Sequence, residues 1–274
     1  MNKSLPQQQP PQQPLHYMPI NATCSSPVSL IERAAELNED GVYELADGSF
    51  SEAVQSFESA LRHMIQLIMA LNSGNNNSGD NNTALKAVPS SGGDQEMLPP
   101  SRTSVEIPYL QDDFFYLYSC TVTFNPSSDI QPTATEISFY GATIMFNLAL
   151  AHHQNAQRFG KGGLQQAEAS LRQALALYQE CTNTLQSLSV VRNDDMLLMQ
   201  LATLNNQAHI LYTLGLSADP STQFVFHTLM TQSMSALQER PNNNFSPFEQ
   251  SQINEFVRNS LVFGLQPAIG AACA

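Results

Sequence analysis

The chain has 274 residues, of which 42% are apolar, enough for a buried core, and only 13% charged, about half the usual share. Its formal net charge is -13, with just 11 Lys plus Arg and none of them clustered. That balance excludes a nucleic-acid surface, which neutralises phosphates with grouped cations, and an anionic membrane surface for the same reason.

No apolar run approaches the roughly 20 residues that span a bilayer, and the first twenty residues carry no apolar leader core. An intracellular protein, cytoplasmic or nuclear and not secreted, is the expectation. Cys24, Cys120, Cys181 and Cys273 form no C-x-x-C pair and are expected to be free thiols in a reducing compartment.

Residues 1–28 are rich in Gln and Pro and lack periodicity, which predicts a disordered tail. A helix is predicted from about Ser29. Ala34, Leu37, Gly41, Val42 and Leu45 share one side of it. Glu32, Glu36, Glu39, Asp40, Glu44 and Asp47 share the other, which reads as a solvated face. Gly48 ends this helix, and Ser49 with Glu52 forms a capping box for the next. The second helix is predicted to turn Val54, Phe57, Leu61, Ile65, Ile68 and Leu71 inward, giving an antiparallel hairpin.

Residues 72–107 are rich in Asn, Gly, Ser and Pro and read as a disordered insertion. The aromatic and β-branched run at 113–124 is predicted to be a strand, and 259–265 is its expected partner in a minor two-stranded β element. The helical period returns from residue 135. Ile144, Leu148 and Ala151 mark one helix, and Leu164, Ala167, Leu171, Ala174, Leu175 and Tyr178 its return. Leu197, Leu201, Leu204, Ala208 and Leu211, then Phe224, Leu229, Met234, Ala236 and Leu237, mark a further pair. Ser246, Pro247 and Glu249 form another capping box, opening a short helix to about Asn259. Residues 266–274 are read as a C-terminal tail, so the helical domain spans 29–265.

Self-similarity between the hairpins suggests a repeat. Leu37, Gly41, Gly48, Phe50, Ala53, Phe57, Ala60 and Leu61 fall at the offsets of a tetratricopeptide unit. A second set follows in "FNLALAHH" with Gly162, Leu164, Ala167, Leu171, Ala174 and Leu175. A third lies in "LNNQAHILYTLG" and Ala236, Leu237 and Pro241. Small residues at these sites permit close helix approach. The chain therefore resembles a tetratricopeptide-like (TPR-like) helical repeat protein, similar in plan to uncharacterised algal TPR-like proteins. It departs from the pattern in having no Trp, in lacking the closing Pro of the first two hairpins, and in its long insertions. The fold class implied is mainly α: stacked antiparallel helix hairpins in a degenerate array.

In such arrays the first helices line a groove that holds peptide. On that resemblance the groove candidates are Asn38, Asn147, His153, Asn205, Asn206, His209 and Tyr212. Family members that clamp a terminal carboxylate use cations where this chain has Asn38, Ala202 and Asn206, and only Asn147 matches. A neutral groove follows, in which amides read a peptide backbone, or else bridge neighbouring hairpins.

Catalytic and metal signatures are weak. His152 and His153 are adjacent on a helix and point about 100° apart, a poor pair for one ion. "GKGG" at 160–163 follows a helix and lacks the Ser/Thr of a phosphate loop, so it reads as a turn. His209 and His227 stand alone on their helices. No cofactor, metal or catalytic residue is assigned. The expected function is a non-catalytic protein-interaction or scaffold protein, with a protein or peptide partner and neither nucleic acid nor membrane. The alternatives are a transcription-associated or assembly factor with flexible contact tails, and an enzyme on a helical-repeat scaffold. Prenyltransferase α-subunits are an enzyme of that kind, but their repeats depend on Trp.

Overall fold

The computed structural model describes residues 26–75, 115–126, 132–159, 163–188, 194–216, 219–238 and 246–264. Seven helices lie among them: α1 (Pro27–Asp47), α2 (Phe50–Asn75), α3 (Ala134–Arg158), α4 (Leu164–Ser187), α5 (Asp194–Thr213), α6 (Pro220–Gln238) and α7 (Pro247–Gly264). Each helix packs against the next in the chain, and α5 also meets α7. The mainly helical class and the hairpin packing therefore agree with the sequence. Residues 1–25, 76–107 and 266–274, and with them most of both tails and of the insertion, lie outside the described residues.

The helix ends have local causes. At the end of α1, Gly48 sits at φ 79°, a left-handed conformation that a side chain would strain. Its N–H donates to Leu45 O (3.0 Å) and the Ser49 N–H to Glu44 O (2.8 Å), closing the last turn. The Ser49 hydroxyl donates to Asp47 (3.5 Å), and no described bond joins it to the Glu52 amide, so the expected capping box does not form there. The expected box at α7 does form: the Glu249 N–H donates to Ser246 Oγ (3.3 Å) and the Ser246 N–H to Glu249 Oε2 (2.8 Å). An equivalent box, Thr133 with Glu136, starts α3.

Close approach within the first hairpin depends on small residues. A Cβ added at Gly41 would stand 2.7 Å from the Phe57 ring. Ala53 and Ala60 are fully buried, as are Ala149, Ala174 and Ala208 further along. The inward face of α2 is rotated from the expected one: Ala53, Phe57, Ala60, Met64 and Leu67 are buried, whereas Ile65 and Ile68 are about half exposed. α2 also runs four residues into the expected insertion. On α4 and α6, Leu164 and Phe224 lie outside, while Leu171, Tyr178, Phe226 and Leu229 pack inward. At the far end of α3, Arg158 stacks over the Phe50 ring (4.2 Å to its centroid) and so ties α3 to the turn of the first hairpin.

The two-stranded β element is not present among the described residues. Residues 259–264, the expected second strand, are the last turns of α7. The other expected strand does run through the middle of the helical array, in the non-helical segment 115–126. Phe115, Leu117, Tyr118, Cys120, Thr121 and Phe124 are all buried. Phe124 stacks on Tyr140 of α3 (4.4 Å), and Tyr118 packs against Phe146 of α3 and Phe256 of α7.

Candidate functional site

A non-helical stretch inside a helical protein poses a hydrogen-bonding problem. Each buried backbone N–H and C=O needs a partner, and leaving one unpaired costs about 1–3 kcal/mol. A neighbouring strand would serve, and none lies among the described residues. Asparagine side chains take its place, because one carboxamide carries both a donor and an acceptor.

Asn206 of α5 is the simplest case. Its Oδ1 accepts from the Tyr118 N–H (3.1 Å) and its Nδ2 donates to Tyr118 O (3.0 Å). Asn147 of α3 treats Val122 alike, accepting from the N–H at 3.0 Å and donating to the carbonyl at 2.7 Å. Asn259 of α7 does the same at Tyr116, at 3.1 Å and 2.7 Å. Three helices thus present the same two-pronged clamp.

The spacing matches the geometry of an extended chain. In such a chain the N–H and C=O of one residue point to the same edge, and alternate residues repeat the direction. The clamped residues 116, 118 and 122 are separated by even numbers, so one edge of the segment faces the asparagines. The sulfur of Cys120, the intervening even residue, accepts from Gln252 Nε2 of α7 (3.4 Å).

Two clamps are doubled. Asn38 of α1 donates to Val122 O (3.1 Å) and accepts from Asn147 Nδ2 (2.9 Å). Asn205 of α5 donates to Tyr116 O (2.9 Å) and accepts from Asn259 Nδ2 (2.7 Å). Asn206 is steadied from α4, where the Tyr178 hydroxyl accepts its second Nδ2 proton (3.0 Å). All five asparagines are fully buried.

Of the seven residues predicted for the groove, Asn38, Asn147, Asn205 and Asn206 come together on segment 115–124. His153 and His209 meet one another: His153 Nε2 lies 2.8 Å from His209 Nδ1, both rings buried. The His209 ring packs on Phe115 (5.0 Å) and the His153 ring on Tyr178 (6.0 Å). Tyr212 is set apart, 37% exposed at the end of α5. Burial pushes the imidazoles of both histidines down, His153 well below its ordinary range and His209 to about 4. It also pushes the Cys181 thiol up to about 12, so this cysteine is a packed group and not a thiolate nucleophile.

Asn259 escaped the sequence reading because its stretch was assigned to a strand. The available signal was a polar amide in line with Ile253 and Phe256 on the buried face of a helix that a capping box had already opened. The acidic residues of α1 take no part: Arg33 pairs with Glu36 on the exposed face (2.7 Å), and Glu39 and Asp40 are exposed. Among the described residues no cluster of three or more His, Cys, Asp or Glu could hold a metal ion. No described helix is long and apolar enough to cross a membrane. No protein-family model matches the chain, and neither a curated protein nor a solved structure matches it.

Proposed function

We propose that the chain is a non-catalytic protein-interaction or scaffold protein. In this reading its TPR-like helical array holds an extended, uncharged peptide through asparagine clamps. The observation that carries this is the repeated bidentate contact of Asn147, Asn206 and Asn259 with alternate backbone positions. Such contacts read the main chain and not the side chains, so they suit more than one sequence. The occupant here is the chain's own segment, and a partner peptide competes with it for the same clamps.

The test is a titration with a synthetic peptide of residues 114–124 carrying Cys120→Ser. The receivers are the full chain and a full chain whose own segment is loosened by Tyr118→Pro, with Phe124→Ser as the milder variant. Circular dichroism first establishes that the variant keeps its helices. The loosened chain should bind the peptide, the wild type far more weakly, and the affinity should change little between low and high salt because no ion pair is involved. A loosened but helical chain that ignores the peptide would contradict the proposal.

A further inference from the structure

We propose that the buried His153–His209 pair is an acid-operated latch on the groove, which frees segment 115–124 when the pair takes up a proton. The proposal rests on reading the groove as a peptide-holding site, since its consequence is to clear that site for another occupant.

The pair is wired to the segment from two sides. His209 packs directly on Phe115, the first described residue of the segment. His153 packs on Tyr178, whose hydroxyl accepts from Asn206, and Asn206 holds both backbone groups of Tyr118. A shift of the His209 ring therefore reaches the segment through one contact, and a shift of the His153 ring reaches the clamped Tyr118 through three.

The neutral pair has one satisfactory proton arrangement. His153 Nδ1 is buried with no hydrogen-bond partner. A bare lone pair there costs less than an unpaired N–H, which places the proton on His153 Nε2, donating to His209 Nδ1. One more proton has no good place. On His209 Nδ1 it would oppose a second N–H across 2.8 Å. On His153 Nδ1 it would create a buried charge with an unpaired donor.

Among the described residues the surroundings supply no counter-charge. The neighbouring titratable groups are His152 on α3, which feels Glu58 of α2, and Tyr178 and Cys181 on α4, both kept neutral by burial. The segment presents Phe115, α5 presents His209 itself, and His227 on α6 is exposed. No described carboxylate or cation bonds to either ring. Burial accordingly depresses both imidazoles, and opening of the site is what lets them protonate. Each proton taken up on opening favours the open form by up to about tenfold per pH unit below the ordinary histidine value near 6.5.

Hydrogen exchange of the full chain, corrected for the intrinsic pH dependence of exchange, tests this. Between neutral pH and about pH 5 the Tyr118 and Val122 amides should lose at least about tenfold in protection. The α1–α2 hairpin should lose much less protection than the segment, and His153→Gln/His209→Gln should flatten the segment's response. Should that double variant fail to fold at neutral pH, His209→Phe serves with the same readout. Protection that is unchanged in acid, or that falls equally in the α1–α2 hairpin, or that falls as much in the variant, would overturn the latch. The peptide titration of the loosened chain at neutral pH is independent of this result. A protected segment with a binding-competent loosened chain defeats the latch alone, and a released segment with no peptide binding defeats the groove reading alone.

Discussion

At the scale of single residues, the amide of Asn206 carries four hydrogen bonds in a fully buried place. Asn206→Ala leaves the Tyr118 N–H and C=O without partners and should cost about 2–4 kcal/mol in denaturant melts. Asn206→Asp keeps the acceptor but turns a second oxygen toward Tyr118 O, and buries a charge besides. It should be at least as damaging at neutral pH, and an Asp variant as stable as wild type would show that the clamp does not form. Ala53 tests packing instead. It is fully buried beside α1, so Ala53→Leu should overpack the hairpin by about 1–3 kcal/mol, and a neutral melt would remove it from a close contact. The amides at 38, 147, 205 and 206 were singled out through the resemblance to a tetratricopeptide array, whose first helices line a groove. What they bind was not legible, because an amide that reads a backbone looks the same whether the backbone comes from a partner or from the same chain.

At the scale of elements, the unusual part is the segment 115–126. Its composition marked it as extended, and its need for a hydrogen-bonding edge was also plain. The sequence pattern suggested another strand, since strand edges are ordinarily satisfied that way. Among the described residues the edge at 116, 118 and 122 is met instead by side chains of α1, α3, α5 and α7, a solution with no periodic signature because each helix contributes one or two residues. Residue 259 does meet the segment, but through the Asn259 side chain on a helix and not through the expected strand pairing. The face of α2 was misjudged for a related reason: its large aliphatics, Ile65 and Ile68, lie outward, and the inward row is set by Ala53 and Ala60, whose smallness admits α1. Tyr118→Pro removes the N–H that Asn206 Oδ1 accepts, and it should lower stability by more than Tyr116→Phe, which leaves the backbone clamp of Asn259 in place. Equal effects of the two in thermal melts would mean that the segment is held by its side chains alone.

For the whole molecule, stability rests on apolar packing and buried amides. Arg33–Glu36, Arg62–Glu58 and Arg172–Glu168 lie on the surface, within single helices, where such pairs contribute little. pH should matter more than salt. His153 and His209 have depressed folded values, so the unfolded chain binds more protons below the ordinary histidine value. Stability is then full above about pH 6.5 and falls with acid toward pH 4. The loss is on the order of 1.4 kcal/mol per pH unit for each histidine. A melting temperature that is flat from neutral pH to pH 5 would contradict this.

The central claim, that the helices close around the chain's own segment through asparagine clamps, is tested most directly by amide hydrogen exchange at neutral pH. The Tyr116, Tyr118 and Val122 amides should exchange as slowly as the core amides of α3 and α5, opening only with them. Exchange of these three near the rate of an unstructured peptide, with α3 and α5 still protected, would show that the asparagines do not hold the segment.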